Sequence, residues 1–191
     1  MCELMITTAV GTLVKLTPLE LRALWDMAVA RNDAKTIGTN KMYGGVSDEA
    51  LHYIGLKGEY AVSKLLGIDI NTEIYDKGDV GHDLEYLGHT IEVKVSQRDL
   101  KFFQDRPPVA DIVALVVPQI VSLANVTAKR DYLIKHPLLG WQHQFIVGWI
   151  TKERLMELCY QRDFGYGVRD VLDRESLIPP MELLLLEDRS G

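Results

Sequence analysis

The sequence predicts an α/β protein in which helices cover both faces of a mixed central sheet, an α/β/α sandwich. A β-hairpin is indicated over residues 83–95, where β-branched and aromatic residues flank a glycine turn. The nearly continuous apolar run over 110–117 is typical of a strand covered on both faces. A further apolar strand, 144–150, runs directly into a helix that begins at Thr151. Strands and helices therefore alternate through most of the chain.

The length of 191 residues suits one domain with a substantial core. Residues 1–46 are predicted to be an N-terminal helical extension packed on that core, and residues 47–191 to form the core. An insertion is expected at about 119–143, between the two buried strands. The chain contains no internal repeat or low-complexity tract that would alter this division.

A short strand near 12–16 and a helix from Thr17 to about Arg31 are predicted in the extension. Thr17 is a favourable N-cap, because Pro18 occupies the first helical position and Glu20 the third. The apolar residues recur at helical spacing and predict a buried stripe made of Leu19, Ala23, Met27 and Ala30, with Leu24 and Trp25 beside it.

A second helix is predicted from Ser47 to about Leu66. Gly55 and Gly58 would let this helix approach a sheet closely, since neither carries a side chain. Its buried stripe is expected to consist of Leu51, Ile54, Gly58, Ala61, Val62 and Leu65. The helix thereby places its central turn against the sheet.

Glu59 lies at the margin of that stripe. From there its carboxylate can point along the boundary between helix and sheet toward the hairpin. The alternative is an ordinary surface glutamate paired with Lys57 or Lys64. The pattern leaves both interpretations open.

The hairpin predicts which side chains share a surface. Successive side chains on a strand alternate between faces, so Glu92 and Lys94 point one way and Val93 the other. A two-residue loop at Leu87 and Gly88 would pair Asp83 with Glu92, and a loop shifted by one residue would pair Asp83 with Lys94. Either register places the two carboxylates and the ammonium on one face, whereas a three-residue loop would separate them.

Such a face has two interpretations. Carboxylate oxygens suit Mg²⁺, which is typically held by one or two carboxylates together with water and substrate phosphate. An ion at this place could activate water for attack on a phosphate, and Lys94 could orient that water. The alternative is a solvated strand face with a weak cross-strand ion pair. The short pattern Asp…Glu-x-Lys does not by itself separate the two.

Taken in order, these segments resemble the PD-(D/E)XK nuclease superfamily, which has the restriction-endonuclease-like fold. The resemblance covers residues 47 to 158. Its parts are Gly58-Glu59, Gly81-His82-Asp83, Ile91-Glu92-Val93-Lys94, the strand over 110–117, and the strand and helix over 145–155. His82 replaces the proline that precedes the first aspartate in the family, which leaves Asp83 in place but removes one mark of membership.

The resemblance implies a metal-dependent nuclease that hydrolyses phosphodiester bonds in nucleic acid, most of all DNA, as an endonuclease rather than an exonuclease. It implies that Asp83 and Glu92 bind Mg²⁺ or Mn²⁺, with the Val93 carbonyl as a further ligand. Lys94 would assist the attacking water, and Glu59 would support the metal or its water. Many members of the family cut as dimers, so a homodimer is among the assemblies that the resemblance allows.

The formal net charge of −6 and the pI of about 5.4 provide no global positive field for nucleic acid. This argues against a protein that merely coats nucleic acid. It argues less against a nuclease, because a bound cation reverses the local sign of the charge. Candidate nucleic-acid contacts near the site and in the insertion are Gln97, Arg98, Lys101, Arg106, Lys129 and Arg130.

Cys2 and Cys159 are the two cysteines, and their spacing does not indicate a zinc site. Distant unpaired thiols are typical of the reducing cytoplasm, where we expect the protein to reside. The sequence contains no apolar stretch of membrane-spanning length, and its start lacks the basic region of a secretory signal. A membrane partner is therefore not expected.

A second functional hypothesis is a catalytically inactive nuclease-like module that binds nucleic acid or a protein partner, since one fold supports many functions. The complete set of Asp83, Glu92 and Lys94 favours the enzyme, because an inactive copy has no chemical reason to contain all three.

Overall fold

The computed structural model describes residues 5–8, 11–34, 48–70, 72, 81–96, 99–102, 107–119, 142–165 and 167–189. The helices are α1 (Pro18–Asp33), α2 (Asp48–Leu66) and α3 (Lys152–Leu158). The strands are β1 (Met5–Thr8), β2 (Gly11–Lys15), β3 (Leu84–Tyr86), β4 (His89–Val95), β5 (Leu100–Phe102), β6 (Ile112–Gln119), β7 (His143–Thr151), β8 (Tyr160–Asp163) and β9 (Val168–Leu172). Two short 3₁₀ turns, Arg174–Ser176 and Pro180–Leu185, follow.

Six strands form the central sheet in the order β1-β2-β7-β6-β4-β3. β4 and β6 are parallel, and the other neighbours are antiparallel, so the mixed sheet predicted from the sequence is confirmed. Residues 112–118 of β6 are all buried, as their apolar character predicts. The predicted insertion lies almost entirely outside the described residues.

The N-terminal segment contributes to the sheet itself. β2 pairs antiparallel with β7, and β1 pairs with β2 at the end of the sheet. The predicted N-cap, Thr17, begins α1 and forms a capping box: Glu20 N–H donates to Thr17 Oγ1 over 3.3 Å, and Thr17 N–H donates to Glu20 Oε2 over 2.6 Å. The strand and helix of this segment share the main hydrophobic cluster with α2.

One face of the sheet is covered by α1 and α2, and the predicted stripes on both helices are partly wrong. Leu19 is 81% exposed, and the residues that α1 buries are Leu21, Leu24 and Ala28. On α2, Leu51 is exposed, whereas Tyr53, Leu56 and Lys57 are buried. The reason is that α1 packs on α2, where the Trp25 and Tyr53 rings meet edge to face at 5.3 Å. Because each helix packs against the other as well as the sheet, the residues that it buries differ from those that would face a sheet alone.

Helices were expected on both faces of the central sheet, but the opposite face is covered by one helix together with a small second sheet. α3 covers part of it, and Thr151 Oγ1 accepts the Arg154 N–H at its start, as predicted. A separate antiparallel sheet, in the order β5-β9-β8, covers another part. Its apolar residues pack with β6 and α3 in a second cluster that contains Leu100, Phe102, Val113, Leu115, Leu155 and Leu172. The α/β class is therefore confirmed, but the second layer is partly β.

Close packing of α2 on β4 depends on Gly58. A Cβ built on this residue would lie 2.3 Å from Val95 Cγ2, whereas a Cβ on Gly55 would meet only Glu59 Oε1, at 3.8 Å. We expect Gly58→Ala to lower the free energy of unfolding by about 1–2 kcal/mol, because overpacking outweighs the gain in helix propensity. Gly55→Ala should raise it by about 0.5–1 kcal/mol.

Urea unfolding of the two variants and the wild type measures this difference. The two variants make the same chemical change on the same helix, so the sign of each effect isolates the contact with β4. Equal stabilisation by both substitutions would contradict the close approach at Gly58.

Candidate functional site

The turn between β3 and β4 sets the register of the hairpin. Leu87 and Gly88 both have positive φ, +49° and +74°, as a two-residue type I′ turn requires. The strands pair Leu84 with Ile91 and Tyr86 with His89. Of the registers considered from the sequence, this is the one that places Asp83 opposite Glu92.

Asp83 lies just before β3, at the edge of the central sheet. Its N–H donates to the Ile91 carbonyl over 2.9 Å, and its Oδ2 accepts the Val93 N–H over 2.6 Å. The N–H and C=O groups of one strand residue point to the same side of the strand. The Val93 carbonyl is therefore directed toward the edge that carries the Asp83 carboxylate.

Glu92 and Lys94 form an ion pair on β4, with side chains 20% and 37% exposed. Their register partners on β6 are Val113 and Leu115, which belong to the cluster on the face away from α1 and α2. Val93 belongs to the other cluster, as the alternation of side chains predicts. The carboxylate and ammonium are thus half-buried neighbours on a single face.

Glu59 forms an ion pair with Arg31 of α1, with 3.6 Å between Oε2 and Nη1. The alternative partners predicted for it have other neighbours: Lys64 pairs with Glu20 over 2.8 Å, and Lys57 lies against the Tyr53 ring. α2 packs on the Val93 side of β4, opposite Glu92 and Lys94. The role of Glu59 as a metal or water ligand stays a prediction.

Among the predicted nucleic-acid contacts, Lys101 belongs to the part of the chain that the structure describes. It lies on β5, and its Nζ is 4.3 Å from the centre of the Phe164 ring. The other members of that set, Gln97, Arg98, Arg106, Lys129 and Arg130, lie outside the described residues.

The oxygen atoms at the end of the hairpin suit a hard cation. The oxygen atoms that could hold a cation there are the carboxylates of Asp83 and Glu92 and the Val93 carbonyl, since Mg²⁺ commonly uses one or two carboxylates. The nearby histidines have other partners: His82 Nε2 contacts Glu85 Oε1 over 2.9 Å, and His89 Nε2 contacts the Glu187 carbonyl over 3.1 Å. Among the described residues, no group of three or more His, Cys, Asp or Glu side chains is arranged to hold a metal ion.

Lys57 was considered from the sequence only as an alternative ion-pair partner of Glu59, and the structure instead buries it on α2. It is 2% exposed, and its Nζ lies 4.4 Å from the centre of the Tyr53 ring. Burial lowers the pKa of Lys57 to about 7 and raises the pKa of Tyr53 to about 12. The pKa of Lys57 is lowered because the residue is buried one position before Gly58, where α2 packs closely on β4. No local pattern in the sequence indicated that Lys57 is buried.

The depressed pKa of Lys57 predicts a pH-dependent stability. Between about pH 7 and 10.5 the unfolded chain binds a proton at Lys57 that the folded chain does not, so stability from this group rises with pH. The free energy of unfolding should therefore rise by on the order of 1 kcal/mol per pH unit in this range. We expect Lys57→Met to be more stable than the wild type near pH 7, with the difference shrinking toward pH 10.

Thermal unfolding of the wild type, Lys57→Met and the exposed-residue control Lys15→Met across pH 7 to 10 measures this effect. The control should run parallel to the wild type. A constant difference between wild type and Lys57→Met over that range would show that Lys57 is charged in the folded protein.

No protein-family model matches the chain, and neither the curated proteins nor the solved structures contain a match to it. Among the residues with described structure, no helix has the length and apolar character needed to cross a membrane.

Proposed function

We propose that the protein is a metal-dependent nuclease that hydrolyses phosphodiester bonds, with DNA as the substrate and internal cleavage favoured over cleavage at ends. The observation that supports this most strongly is the hairpin register: continued one residue beyond Leu84 and Ile91, it places Asp83 opposite Glu92, and Lys94 forms an ion pair with Glu92. In this register the two carboxylates and the ammonium of the Asp…Glu-x-Lys pattern would share one face of the hairpin.

In this proposal Asp83, Glu92 and the Val93 carbonyl hold Mg²⁺ or Mn²⁺. Bound there, the cation supplies charge neutralisation at the scissile phosphate and acidifies a water. The hydrogen bond from the Val93 N–H orients the Asp83 carboxylate and keeps it at the sheet edge. Lys94 places its positive charge where the attacking water and the phosphate oxygens gain negative charge.

The direct test is incubation of the purified protein with linear, circular, single-stranded and branched DNA, each with Mg²⁺, Mn²⁺ or EDTA. Cutting of closed circular DNA with a divalent cation, and none with EDTA, is expected of an endonuclease. Cutting of linear DNA alone would make the enzyme an exonuclease. If no DNA is cut under any of these conditions while the protein is folded, the proposed activity is wrong.

A second candidate is a nuclease-like module without catalytic activity. Its support is the ion pair between Glu92 and Lys94, which engages a proposed metal ligand with a protein cation. Calorimetric titration with Mn²⁺ separates the two candidates. Binding that is lost in Asp83→Ala favours the enzyme, whereas no binding, or binding unchanged by that substitution, favours the module.

A further inference from the structure

The small sheet β5-β9-β8 has two chemically different faces. Its register pairs Lys101 and Tyr160 with Val171, and Arg162 with Arg169. Paired residues share a face of a sheet. Leu100 and Leu172, which alternate with these residues, pack in the cluster against the central sheet. The opposite side, here called the outer face, therefore carries Lys101, Tyr160, Arg162 and Arg169 around Val171, which is itself fully buried.

An aromatic ring lies among the cations of the outer face. Phe164 follows β8, and its ring centre lies 4.3 Å from Lys101 Nζ and 5.4 Å from Arg162 Cζ. Both distances are within the range of cation–π attraction. Phe164 is half-buried and Arg162 is exposed, so ring and guanidinium are both accessible to solvent in part. Lys101 and Arg162 are thus held around one ring, whereas Arg169 Nη1 donates to the Val168 carbonyl over 2.8 Å.

Acidic residues near the small sheet are separated from this cluster. Asp163 alternates with Arg162, and its Oδ1 accepts the Gly165 N–H over 2.8 Å, within the turn after β8. Asp173 accepts the Tyr160 hydroxyl over 2.9 Å, and Asp99 also acts on that hydroxyl. The acids of the outer face therefore lie at its Tyr160 end, whereas Arg162 and Arg169 lie at its Phe164 end. Lys101 lies in the row of Tyr160, but its Nζ reaches the Phe164 ring.

The small sheet lies on the same side of the central sheet as the candidate catalytic residues. Leu100 and Leu172 pack with Val113 and Leu115, the register partners of Glu92 and Lys94. β5 also follows β4 directly in the chain. The small sheet and Lys94 therefore lie on the same side of the central sheet.

We propose that the outer face binds single-stranded DNA, with a base stacked on Phe164 and phosphates contacting Lys101, Arg162 and Arg169. Aromatic rings among cations are the means by which proteins bind single strands without reading their sequence, whereas paired bases in a duplex do not expose their faces to a ring. The inference rests on the proposed nuclease function and specifies its substrate, which carries a single-stranded region such as a tail, flap or gap.

Fluorescence anisotropy with a labelled 20-nucleotide oligo-dT and a labelled duplex of equal length tests this proposal, in EDTA so that no DNA is cut. The wild type should bind the single strand more tightly than the duplex. Phe164→Leu and the double variant Lys101→Ala/Arg162→Ala should each weaken single-strand binding by at least about fivefold, as expected for loss of one stacked base or of two phosphate contacts. Arg22→Ala, which removes an exposed cation on α1, should have no effect.

Circular dichroism and thermal unfolding establish whether each variant is folded. If a variant is not folded, the single variant Arg162→Ala replaces it, because Arg162 is exposed. Single-strand affinity that is unchanged in the folded variants, or tighter binding of duplex, would overturn the proposal. Because binding is measured without a divalent cation, its outcome is independent of the nuclease assay. A protein that cuts DNA but ignores these substitutions refutes the substrate proposal alone, and one that binds through this face but never cuts refutes the nuclease alone.

Discussion

Lys94→Ala is expected to reduce divalent-dependent DNA cleavage by at least about 100-fold while leaving the fold intact. The loss follows because removing one preorganised charge at a developing oxyanion commonly costs two to three orders of magnitude in rate. The fold should survive because Lys94 is 37% exposed and its ion pair with Glu92 contributes less than about 1 kcal/mol. Initial rates of cleavage of circular DNA under saturating Mg²⁺ measure the effect.

The matched control is Lys15→Ala, which removes an exposed lysine at the end of another strand of the same sheet. Calorimetry adds a second readout: Lys94→Ala should bind Mn²⁺ at least as tightly as the wild type, because Lys94 no longer competes for Glu92. Equal cleavage by Lys94→Ala and the wild type would remove Lys94 from the mechanism. Loss of both cleavage and Mn²⁺ binding would assign it a structural role.

Gly148→Ala is expected to lower the free energy of unfolding by about 2–4 kcal/mol. A Cβ on this residue would lie 2.4 Å from the Ile178 carbonyl oxygen and 2.8 Å from Leu177 Cβ. The neighbouring Trp149 exchanges two main-chain hydrogen bonds with Ile178, of 3.0 and 2.8 Å. The methyl group therefore both overpacks the site and separates the C-terminal segment from β7.

Thermal unfolding should show a decrease in Tm of roughly 5–15 °C for Gly148→Ala. Gly67→Ala is the control, because nothing lies within 4 Å of its Cβ position and its cost of about 1 kcal/mol comes from a positive φ alone. If Gly148→Ala unfolds at the same temperature as Gly67→Ala, the C-terminal segment does not pack on β7 as described.

Local signals in the sequence predicted much of the candidate site. Gly88 and the alternation of side chains around it predicted a hairpin in which Asp83, Glu92 and Lys94 share a face, and the turn at Leu87 and Gly88 is one of the loops considered. The strand β6 and the capped helix after β7 were also predicted, since each has a local apolar or capping pattern. The metal, the activity and the role of Glu59 stay predictions.

The misassigned residues are those whose environment depends on a distant segment. Leu19 is apolar and at helical spacing, yet α1 turns it to solvent because its contacts are with α2. Lys57 is charged, yet close packing around it leaves it buried. The small sheet pairs Lys101 of β5 with Val171 of β9, far along the chain, and no short-range pattern specifies such a pairing.

The sequence by itself determined the hairpin, the strands β6 and β7 and the capped helices α1 and α3, and that two carboxylates accompany a lysine on the hairpin. These depend on dihedral preferences and hydrogen bonds between near neighbours. Only the tertiary structure decided that β2 joins the central sheet, that Lys57 is buried, and that a basic and aromatic face lies on the side of Lys94. These depend on the burial of apolar surface between segments far apart in the chain, which local sequence does not encode.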